Sequence, residues 1–157
     1  MGKYDHLEVQ GAERAQILAE IEAQVREWGL ALPPVEPLLL HFGLGRVREI
    51  GDCEYWIANE EALGYCGKFL FMLDGQTCPR HYHRLKHETF FLVRGELLMR
   101  RGEEEFLLRP GEVLPMPPGT KHAFTGRGNA LVLEVSQPSV LQDNFFDDPA
   151  LGDHGVI

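Results

Sequence analysis

Short apolar segments separated by glycine and proline turns fill most of this chain, and they restrict its fold more than any other feature. After Pro37 the segments that are typical of strands are Leu38–Phe42, Arg46–Ile50, Glu54–Ala58, Tyr65–Leu73, Thr89–Val93, Glu96–Arg100, Glu105–Leu108, Glu112–Met116, His122–Thr125 and Ala130–Val135. Frequent turns without intervening helices predict an antiparallel sandwich or barrel. Among such folds the jelly roll holds a small interior site between two sheets. We therefore expect residues 38–157 to form one all-β jelly-roll barrel.

The segment before the barrel has a helical pattern. Between Ala12 and Trp28 there is no proline or glycine, and apolar residues recur at helical spacing (Ile17, Leu18, Ile21, Val25 and Trp28). Gly29 is placed to end the helix, and a proline-rich stretch to Pro37 predicts an extended connector. We expect residues 1–37 to be an amphipathic helix and connector packed on the barrel.

Length, charge and cysteine content narrow the class of protein. A chain of 157 residues has the size of one domain with a sizeable core. A formal net charge of −9 argues against a nucleic-acid partner, since phosphate binding needs a dense positive surface. No apolar run approaches the ~20 residues that span a bilayer, and the first residues lack the apolar core of a signal peptide. Three cysteines at irregular spacing favour reduced thiols, so we expect a cytoplasmic protein.

One stretch between Gly75 and Gly95 carries the pattern of a metal site. His81 and His83 are two residues apart, so in an extended strand both side chains lie on one face. Glu88 is an odd number of residues further on, and only a bend at residues 84–87 brings it to the same side. Two imidazoles and a carboxylate are typical ligands of a divalent metal.

Other candidate ligands in the chain are weaker. Cys78 lies three residues before His81 and is better explained as a small buried side chain at a turn. The remaining histidines are interpreted as surface or structural residues, because two lie near the termini, one in the predicted bend and one alone in an apolar segment (His6, His154, His87 and His41).

Two stretches of the chain resemble the two signature motifs of the cupin superfamily. They read Gly75-x5-His81-x-His83-x4-Glu88-x6-Gly95 and Gly111-x5-Pro117-x-Gly119-x2-His122. The first matches at every defined position, and the second departs at its end, where Gly126 stands in the usual place of asparagine. The resemblance implies a double-stranded β-helix in which four side chains bind a six-coordinate metal and leave two positions for water or substrate. These side chains are His81, His83, Glu88 and His122.

Further similarity points to one family of cupins. The residues around the two motifs resemble the D-lyxose isomerase family of manganese-dependent aldose–ketose isomerases, from about Phe42 to about Pro149. The similar stretches are Tyr65-Cys-Gly-Lys68, Gly75-Gln-Thr-Cys-Pro79, Pro118-Gly-Thr-Lys-His122, Leu133-Glu-Val-Ser136 and Phe146-x-Asp148-Pro149. The resemblance implies that Lys86 and Glu134 are the catalytic pair. The short link Arg101–Glu105, where other members carry an insertion, leaves the sugar open between the D-lyxose/D-xylulose and D-mannose/D-fructose types.

The chemistry of isomerisation fits these residue types. Moving hydrogen between C1 and C2 of an open-chain sugar requires a Lewis acid at the two oxygens and a base at the carbons. Glu134 alternates with Leu133 and Val135 and shares a face with Val132 and Ser136; if that face is the interior, its carboxylate can serve as the base. Lys86 is placed to protonate or stabilise a sugar oxygen. Mn²⁺ is the expected metal, and the same ligands accept Fe²⁺, Ni²⁺, Co²⁺ or Zn²⁺.

Other functions remain open at this point. An iron-dependent cupin dioxygenase has the same metal ligands but requires oxygen, and a non-catalytic sugar-binding cupin gives no reason for the Lys86–Glu134 pair. A phosphosugar isomerase would need basic residues at the site, for which the candidates are Arg80, Arg84, Arg100 and Arg101.

We also expect a homodimer that pairs through the apolar run Leu38–Leu40 beside the helix. The segment from Asn144 to Pro149 is interpreted either as a cover over the mouth of the site, as the resemblance suggests, or as a tail docked on the barrel.

Overall fold

A helix and a series of antiparallel strands make up this protein. The computed structural model describes residues 5–140 and 142–157. The elements in chain order are α1 (Gly11–Glu27), β1 (Leu38–Leu40), β2 (Asp52–Glu60), β3 (Tyr65–Met72), β4 (Thr77–Tyr82), β5 (Glu88–Arg101), β6 (Glu104–Leu108), β7 (Val113–Met116), β8 (His122–Ser136) and β9 (Phe145–Phe146). Residues 1–4 of the predicted N-terminal segment, and Leu141 of the predicted barrel segment, lie outside the described residues.

Strands β5 and β8 are the centre of the barrel. They pair along their whole length, from Glu88 opposite Ser136 to Arg101 opposite His122. The first part of β8 pairs on its other edge with β4, and its second part pairs with β3, which continues to β2 and β1. The other edge of β5 pairs with β7 and then with β6. The β5–β8 pair thus joins two halves of the sheet: β6 and β7 on the side of β5, and β1 to β4 on the side of β8. Because both halves share this pair, the sheet curls into the expected jelly roll.

Two apolar cores lie on opposite faces of this sheet. The interior core fills the barrel with side chains such as Leu70, Phe90, Met99 and Val132. The second core lies between the outer face and α1, and its members on the helix are buried at four-residue spacing (Ile17, Ile21 and Val25). This stripe confirms the predicted amphipathic helix. No helix within the described ranges has the length and apolar character needed to cross a membrane.

The glycines that interrupt the apolar segments are not all turns. Two pairs of predicted strands are continuous in the structure, as β5 and β8, and β5 continues through Gly95. That residue has φ of +79°, and a side chain there would collide with the carbonyl oxygen of Asn129. Register shifts flank Gly95, so the glycine permits a bulge that bends the strand without ending it.

One predicted strand is wrong, and two observed strands are additional to the predicted series. Residues 46–50 form a turn instead of a strand, in which the carbonyl of Arg46 accepts hydrogen bonds from the amides of Glu49 and Ile50. Val47 is buried and Ile50 half-buried, whereas the residues between them are exposed, so the segment lacks the alternation of a half-buried strand. Strands β4 and β9 were not among the predicted strands. Strand β4 contains Pro79, and β9 is only two residues long.

The apolar run Leu38–Leu40 does not supply an exposed pairing surface. Leu39 packs under the helix and Leu40 faces the barrel interior, with relative exposures of 0% and 8%. The segment before α1 covers the outer edge of β1, where the amide of Val9 donates to the carbonyl of Leu39. A hydrophobic run of this kind is explained by burial within the chain itself.

Candidate active site

Three histidines meet inside the barrel because neighbouring backbone segments present them to one point. His81 lies on β4 directly opposite His122 at the start of β8, and His83 follows one residue after β4 ends. The ring centroid of His81 lies 4.3 Å from that of His122 and 5.0 Å from that of His83. All three side chains are buried.

Each ring is oriented by a hydrogen bond on its Nδ1 atom. The acceptors are backbone carbonyls: Pro79 for His81 at 2.7 Å, Asp143 for His83 at 2.9 Å and Thr120 for His122 at 2.9 Å. A carbonyl can only accept, so Nδ1 of each ring carries a proton, and in a neutral imidazole this leaves the lone pair on Nε2. Burial and the two neighbouring histidines hold the pKa of His81 well below its usual range, which keeps that ring neutral. Neutral imidazoles held in this way are the usual form of a histidine ligand.

Glu88 completes this group of side chains. Its Oε1 lies 3.2 Å from Nε2 of His83, and its Oε2 lies 3.3 Å from Nε2 of His122. The three histidines each offer one ligand atom, and these atoms lie within 4.8 Å of one another. We refer to His81, His83, His122 and Glu88 as the metal-facing cluster.

The metal-facing cluster passes a test of fit for a divalent cation. Within the described residues, Nε2 of His83, Nε2 of His122 and Oε2 of Glu88 are buried without a hydrogen-bond partner. Unpaired buried polar atoms cost about 1–3 kcal/mol each, and a cation that accepts three nitrogen ligands and one carboxylate oxygen would satisfy them together. The donor set suits Mn²⁺, Fe²⁺, Co²⁺, Ni²⁺ and Zn²⁺ alike.

A bend organised by Asp143 carries Glu88 back to the histidines. The carboxylate of Asp143 accepts hydrogen bonds from the amides of Arg84, Leu85 and Lys86 at 2.9–3.3 Å. The predicted bend at residues 84–87 is therefore present. The side chain that holds it, that of Asp143, lies 57–59 residues further along the chain. Because the backbone carbonyl of Asp143 also accepts from His83, one residue orients both a candidate ligand and the segment that carries Lys86.

Lys86 and Glu134 lie beside the metal-facing cluster. Nζ of Lys86 is 2.7 Å from Oε1 of Glu88 and 3.1 Å from Oε1 of Glu134. Oε2 of Glu134 is in turn 3.7 Å from Nζ of Lys68, which donates to Oε1 of Glu54 at 2.7 Å. We call this row of alternating carboxylates and ammonium groups, from Glu88 to Glu54, the ion-pair row.

The charges of the ion-pair row explain the direction of its pKa shifts. Burial alone would lower the pKa of Lys86, but the attraction of Glu134 and Glu88 outweighs it and raises the pKa. Burial likewise opposes ionisation of Glu88, yet Lys86 and the neighbouring rings of His83 and His122 hold its pKa well below its usual range. Lys86 is therefore an ammonium group and Glu88 a carboxylate at neutral pH.

One cavity is lined by the ion-pair row and by the metal-facing cluster except His122. Strands β2, β3, β4, β5 and β8 supply most of its wall, and the C-terminal segment supplies Asn144, Phe146 and Ile157. Phe146 lies on β9 opposite His81, and its ring is 5.2 Å from that histidine. The segment after residue 143 is thus both docked on the barrel and part of the cavity wall.

The remaining candidates from the sequence lie elsewhere. His6, His87 and His154 are exposed, and Nδ1 of His41 accepts a hydrogen bond from the amide of Gly43. Cys78 lines the cavity, but burial raises the pKa of its thiol well above the usual range. The four arginines considered for phosphate binding face acidic or aromatic partners outside the cavity: Arg80 with Asp147, Arg84 over Phe145, Arg100 with Glu105 and Arg101 with Glu104.

Sequence reasoning missed the polar side chains that β2 contributes to the cavity. Asp52 and Glu54 are 3% and 8% exposed, and Trp56 lies at the next inward position. The available signal was their alternation with Cys53 and Tyr55, which predicts that the three share one face of a strand. Lys68 lies in the stretch Tyr65–Lys68, which resembles the family, but the sequence pattern alone indicates no role for its side chain.

Comparisons with known proteins identify relatives of this chain by sequence. The family model for the cupin domain matches residues 69–136. The D-lyxose ketol-isomerase of Cohnella laeviribosi is 33% identical, and the alignment covers 95% of this chain and 98% of that protein. The D-lyxose ketol-isomerase of Thermofilum sp. (strain ex4484_79) is 34% identical, with 69% of this chain and 74% of that protein covered.

A solved structure extends the similarity of fold. The crystal structure of L-ribose isomerase from Cellulomonas parahominis with L-ribose matches with a TM-score of 0.77, covers 96% of this chain and 98% of that chain, and is 18% identical in sequence. The match establishes the fold, a jelly-roll barrel with an N-terminal helix.

Proposed function

Because the chain belongs to the D-lyxose ketol-isomerase family of cupin proteins, we propose that it is a metal-dependent aldose–ketose isomerase. The observation that carries this proposal is the position of Lys86, whose ammonium group lies within 3.1 Å of both Glu134 and Glu88. A candidate base and a candidate acid are thereby held beside a metal-facing cluster in a buried cavity. Those are the parts that hydrogen transfer between two carbons of a sugar requires.

Glu134 is the base in this proposal. Its carboxylate removes the proton from C2 of the open-chain aldose, which gives an enediol, and then delivers the proton to C1 to give the ketose. Glu134 is 2% exposed, so water has little access to the proton while it is held on the carboxyl group. Transfer between adjacent carbons by one carboxylate also requires no second base.

Lys86 is the acid partner. Its ammonium group donates a proton to the aldehyde oxygen at C1 as the C2 proton leaves, and it recovers a proton from the hydroxyl group at C2, whose oxygen becomes the carbonyl of the ketose. The attraction of Glu134 and Glu88 keeps the pKa of Lys86 raised, so the proton is present at the start of the reaction. The same charge stabilises the developing negative charge on oxygen.

We propose Mn²⁺ as the metal, held by His81, His83, His122 and Glu88. The bound cation would act as a Lewis acid that polarises the sugar oxygens. The charge of the cavity supports a cation: the buried carboxylates Glu54, Glu88 and Glu134 outnumber the two buried ammonium groups, and a divalent ion reverses the sign of that balance.

The substrate is proposed to be an unphosphorylated aldose of the D-lyxose or D-mannose type. The relatives named above are described as D-lyxose ketol-isomerases, and a third, from Thermosediminibacter oceani, as a D-lyxose/D-mannose isomerase at 28% identity. The pairing of Arg80, Arg84, Arg100 and Arg101 outside the cavity supports the absence of a phosphate site.

A substrate panel tests the proposal. Protein stripped of metal and reloaded with Mn²⁺ is incubated without oxygen with free and phosphorylated aldoses, and ketose formation is measured. We expect conversion of a free aldose such as D-lyxose or D-mannose and none of its phosphate ester. Absence of any ketose in the presence of each of the five candidate metals would refute an isomerase, and a product that forms only with oxygen would identify a dioxygenase.

We propose that the protein is a homodimer. Exposed apolar side chains lie side by side on the outer face of the sheet, where Phe91 pairs with Val113 and with Leu133, and Val135 lies near Ile57 across Gly67. Four of them are 38–59% exposed (Phe91, Val113, Val135 and Ile57), and a second copy would cover them. Light scattering tests this: a dimer mass is expected, and a monomer mass at micromolar concentration would contradict it.

We also propose that the protein works in the cytoplasm. Its three cysteines are free and buried (Cys53, Cys66 and Cys78), and burial raises the pKa of each thiol. Free thiols are typical of reducing compartments. Cell fractionation would place the protein with cytoplasmic markers, and recovery with an extracellular fraction would contradict the proposal.

A further inference from the structure

A second polar cluster lies in the same cavity, apart from the metal-facing cluster. Asp52, Glu54 and Trp56 project from alternate positions of β2, and Lys68 projects from β3 opposite Trp56. Three of the four are nine-tenths or more buried, with exposures of 3%, 8% and 6% for Asp52, Glu54 and Lys68. The proposed proton transfer uses none of these side chains.

Three side chains of this cluster, Glu54, Trp56 and Lys68, are hydrogen-bonded to one another. Glu54 accepts from Nζ of Lys68 at 2.7 Å and from Nε1 of Trp56 at 2.8 Å, so both of its oxygens are occupied. Lys68 also lies 4.7 Å from the centroid of the Trp56 ring. An ammonium group has three N–H donors, and its other carboxylate neighbour, Glu134, is 3.7 Å away. That distance is too long for a strong hydrogen bond, so Lys68 retains donor capacity toward the cavity.

The fourth side chain, Asp52, has an oxygen without a hydrogen-bond partner in the described part of the chain. Its Oδ1 is buried and has no hydrogen-bond partner among residues 5–140 and 142–157. Burial and the nearby charge of Glu54 raise the pKa of Asp52 well above its usual range, which favours the protonated form of this carboxyl group. A buried carboxyl oxygen that lacks a hydrogen-bond partner beside a cavity is costly unless a ligand supplies one.

We propose that Asp52 and Lys68 form a subsite that binds the hydroxyl groups at C4 and C5 of the open-chain sugar and thereby determines which sugars are accepted. This inference rests on the proposed function, which it deepens. A sugar hydroxyl is both a donor and an acceptor. It accepts from the free N–H of Lys68 and forms its second hydrogen bond with Asp52, which gives Oδ1 its missing partner.

The ion-pair row sets the direction in which the sugar lies. Contacts lead from Glu88 through Lys86 to Glu134, and from Glu134 through Lys68 to Glu54. With C1 and C2 beside the metal-facing cluster and Glu134, the remaining carbons of the chain extend toward Lys68 and Asp52. The indole of Trp56 and the side chain of Leu70 line this part of the cavity and offer apolar surface to the C–H groups.

A purely structural role does not explain this cluster. The Glu54–Lys68 pair alone is closed and could serve the fold, but buried ion pairs seldom stabilise a protein more than apolar side chains of the same volume. Asp52 adds a carboxyl group whose Oδ1 makes no hydrogen bond within the described residues. A site built to bind a hydroxyl group discriminates strongly against analogues that lack it, because its own polar groups are then left unpaired.

The test combines changes in the protein with changes in the sugar. The ratio of kcat/KM for an accepted aldopentose to that for its 4-deoxy or 5-deoxy analogue is measured with the manganese-loaded wild-type protein, with Asp52→Ala and with Asp153→Ala. Asp153 is a 93% exposed aspartate and serves as the control. Since the same pair of sugars is compared in each protein, differences in ring opening between them cancel.

We expect the preference for the hydroxylated sugar to fall about tenfold or more in Asp52→Ala for at least one of the analogues, by the loss of one hydrogen bond to a buried group, and to stay unchanged in Asp153→Ala. Asp52→Asn, which keeps the shape and the hydrogen-bonding capacity, should retain most of the preference, and Lys68→Met should lose it. Equal ratios in wild type and Asp52→Ala for both analogues would overturn the subsite.

Failure of the proposed function gives a different result. If the wild-type protein converts neither sugar, isomerisation is refuted, and the dissociation constants of the same sugars are then measured by calorimetry. A ratio of dissociation constants that collapses in Asp52→Ala supports the subsite in a sugar-binding protein, whereas an unchanged ratio, or no sugar binding, overturns it. If Asp52→Ala does not fold, Lys68→Met and Asp52→Asn decide the outcome by the same ratio.

Discussion

Nζ of Lys86 lies 3.1 Å from Oε1 of Glu134 in the interior of the barrel, and the two side chains are 3% and 2% exposed. Glu134 lies on β8 and Lys86 in the bend before β5, 48 residues apart in the chain. Glu134 faces inward because it alternates with outward residues of β8, and Lys86 does so because the Asp143 carboxylate fixes the bend before β5. The pairing places an acid and a base in one cavity.

Replacing Glu134 separates proton transfer from metal binding. Glu134→Gln keeps the shape of the side chain but removes the base, so we expect kcat to fall by about 10²–10⁴, the usual contribution of general base catalysis. The affinity for Mn²⁺ should stay within about threefold of wild type, because Glu134 does not belong to the metal-facing cluster. Kinetics and a metal titration check this, and near-normal turnover in the variant would exclude Glu134 as the base.

Metal binding should stabilise the fold. The unpaired atoms of His83, Glu88 and His122 would gain a partner in the cation, so Mn²⁺ at 100 times its dissociation constant adds about 2.7 kcal/mol to the free energy of unfolding. For a chain of this size that corresponds to a rise in Tm of roughly 5–10 °C. His81→Ala should abolish most of the rise, and His154→Ala, at an exposed histidine, should preserve it. Equal rises in the two variants would argue against the proposed ligands.

Asp143 should matter more to stability and metal binding than its position in an irregular segment suggests. Asp143→Ala removes the acceptor of three backbone amides, so we expect a loss of about 2 kcal/mol or more in the free energy of unfolding and weaker Mn²⁺ binding.

Asp148→Ala is the matched control for this change, since Asp148 is exposed and its carboxylate accepts from one amide, that of Ala150, within the described part of the chain. That variant should lose less than about 1 kcal/mol and bind Mn²⁺ as the wild type does. Urea unfolding measures both losses, and indistinguishable results for the two variants would contradict the role of Asp143.

The raised pKa of Asp52 predicts a pH dependence of stability. Because the folded state holds a proton that the unfolded state releases above about pH 4, the free energy of unfolding falls as the pH rises from there toward the folded-state pKa. The charged or titratable groups that act on Asp52 are Glu54, Lys68, Cys78 and Glu134.

Asp52→Asn cannot release this proton, so its stability relative to wild type should increase between pH 4 and neutral pH. Urea unfolding of the two proteins across that range measures the difference. A difference that does not change with pH would mean that the folded-state pKa of Asp52 is not raised.

Local pattern accounts for much of the fold and for part of the site. The spacing of Ile17, Ile21 and Val25 predicts the helix, and the short strands predict a barrel, because both patterns depend only on neighbouring residues. The odd spacing of Glu88 from His83 predicts a bend. The residue that holds the bend, Asp143, could not be predicted, since nothing in the sequence near residues 84–87 records a contact formed almost 60 positions later.

The inward orientation of the polar side chains of β2 could not be predicted, for a similar reason. Asp52 and Glu54 look like the charged end of an exposed strand until β3 and the barrel interior are placed against them. The run Leu38–Leu40 suggested an exposed surface, and it is buried because the segment around Val9 and helix α1 cover it. Long-range packing decides in each case which face is inside.

The most direct test of the central claim follows the hydrogen atom itself. An aldose accepted in the panel is labelled with deuterium at C2 and incubated without oxygen with the manganese-loaded wild type and with Glu134→Gln, and the ketose is analysed by mass spectrometry and deuterium NMR. The account predicts ketose with part of the label at C1 from the wild type, because Glu134 carries the proton in a cavity with little water, and almost no ketose from the variant. Ketose formed at the same rate by Glu134→Gln, with the same label at C1, would contradict it.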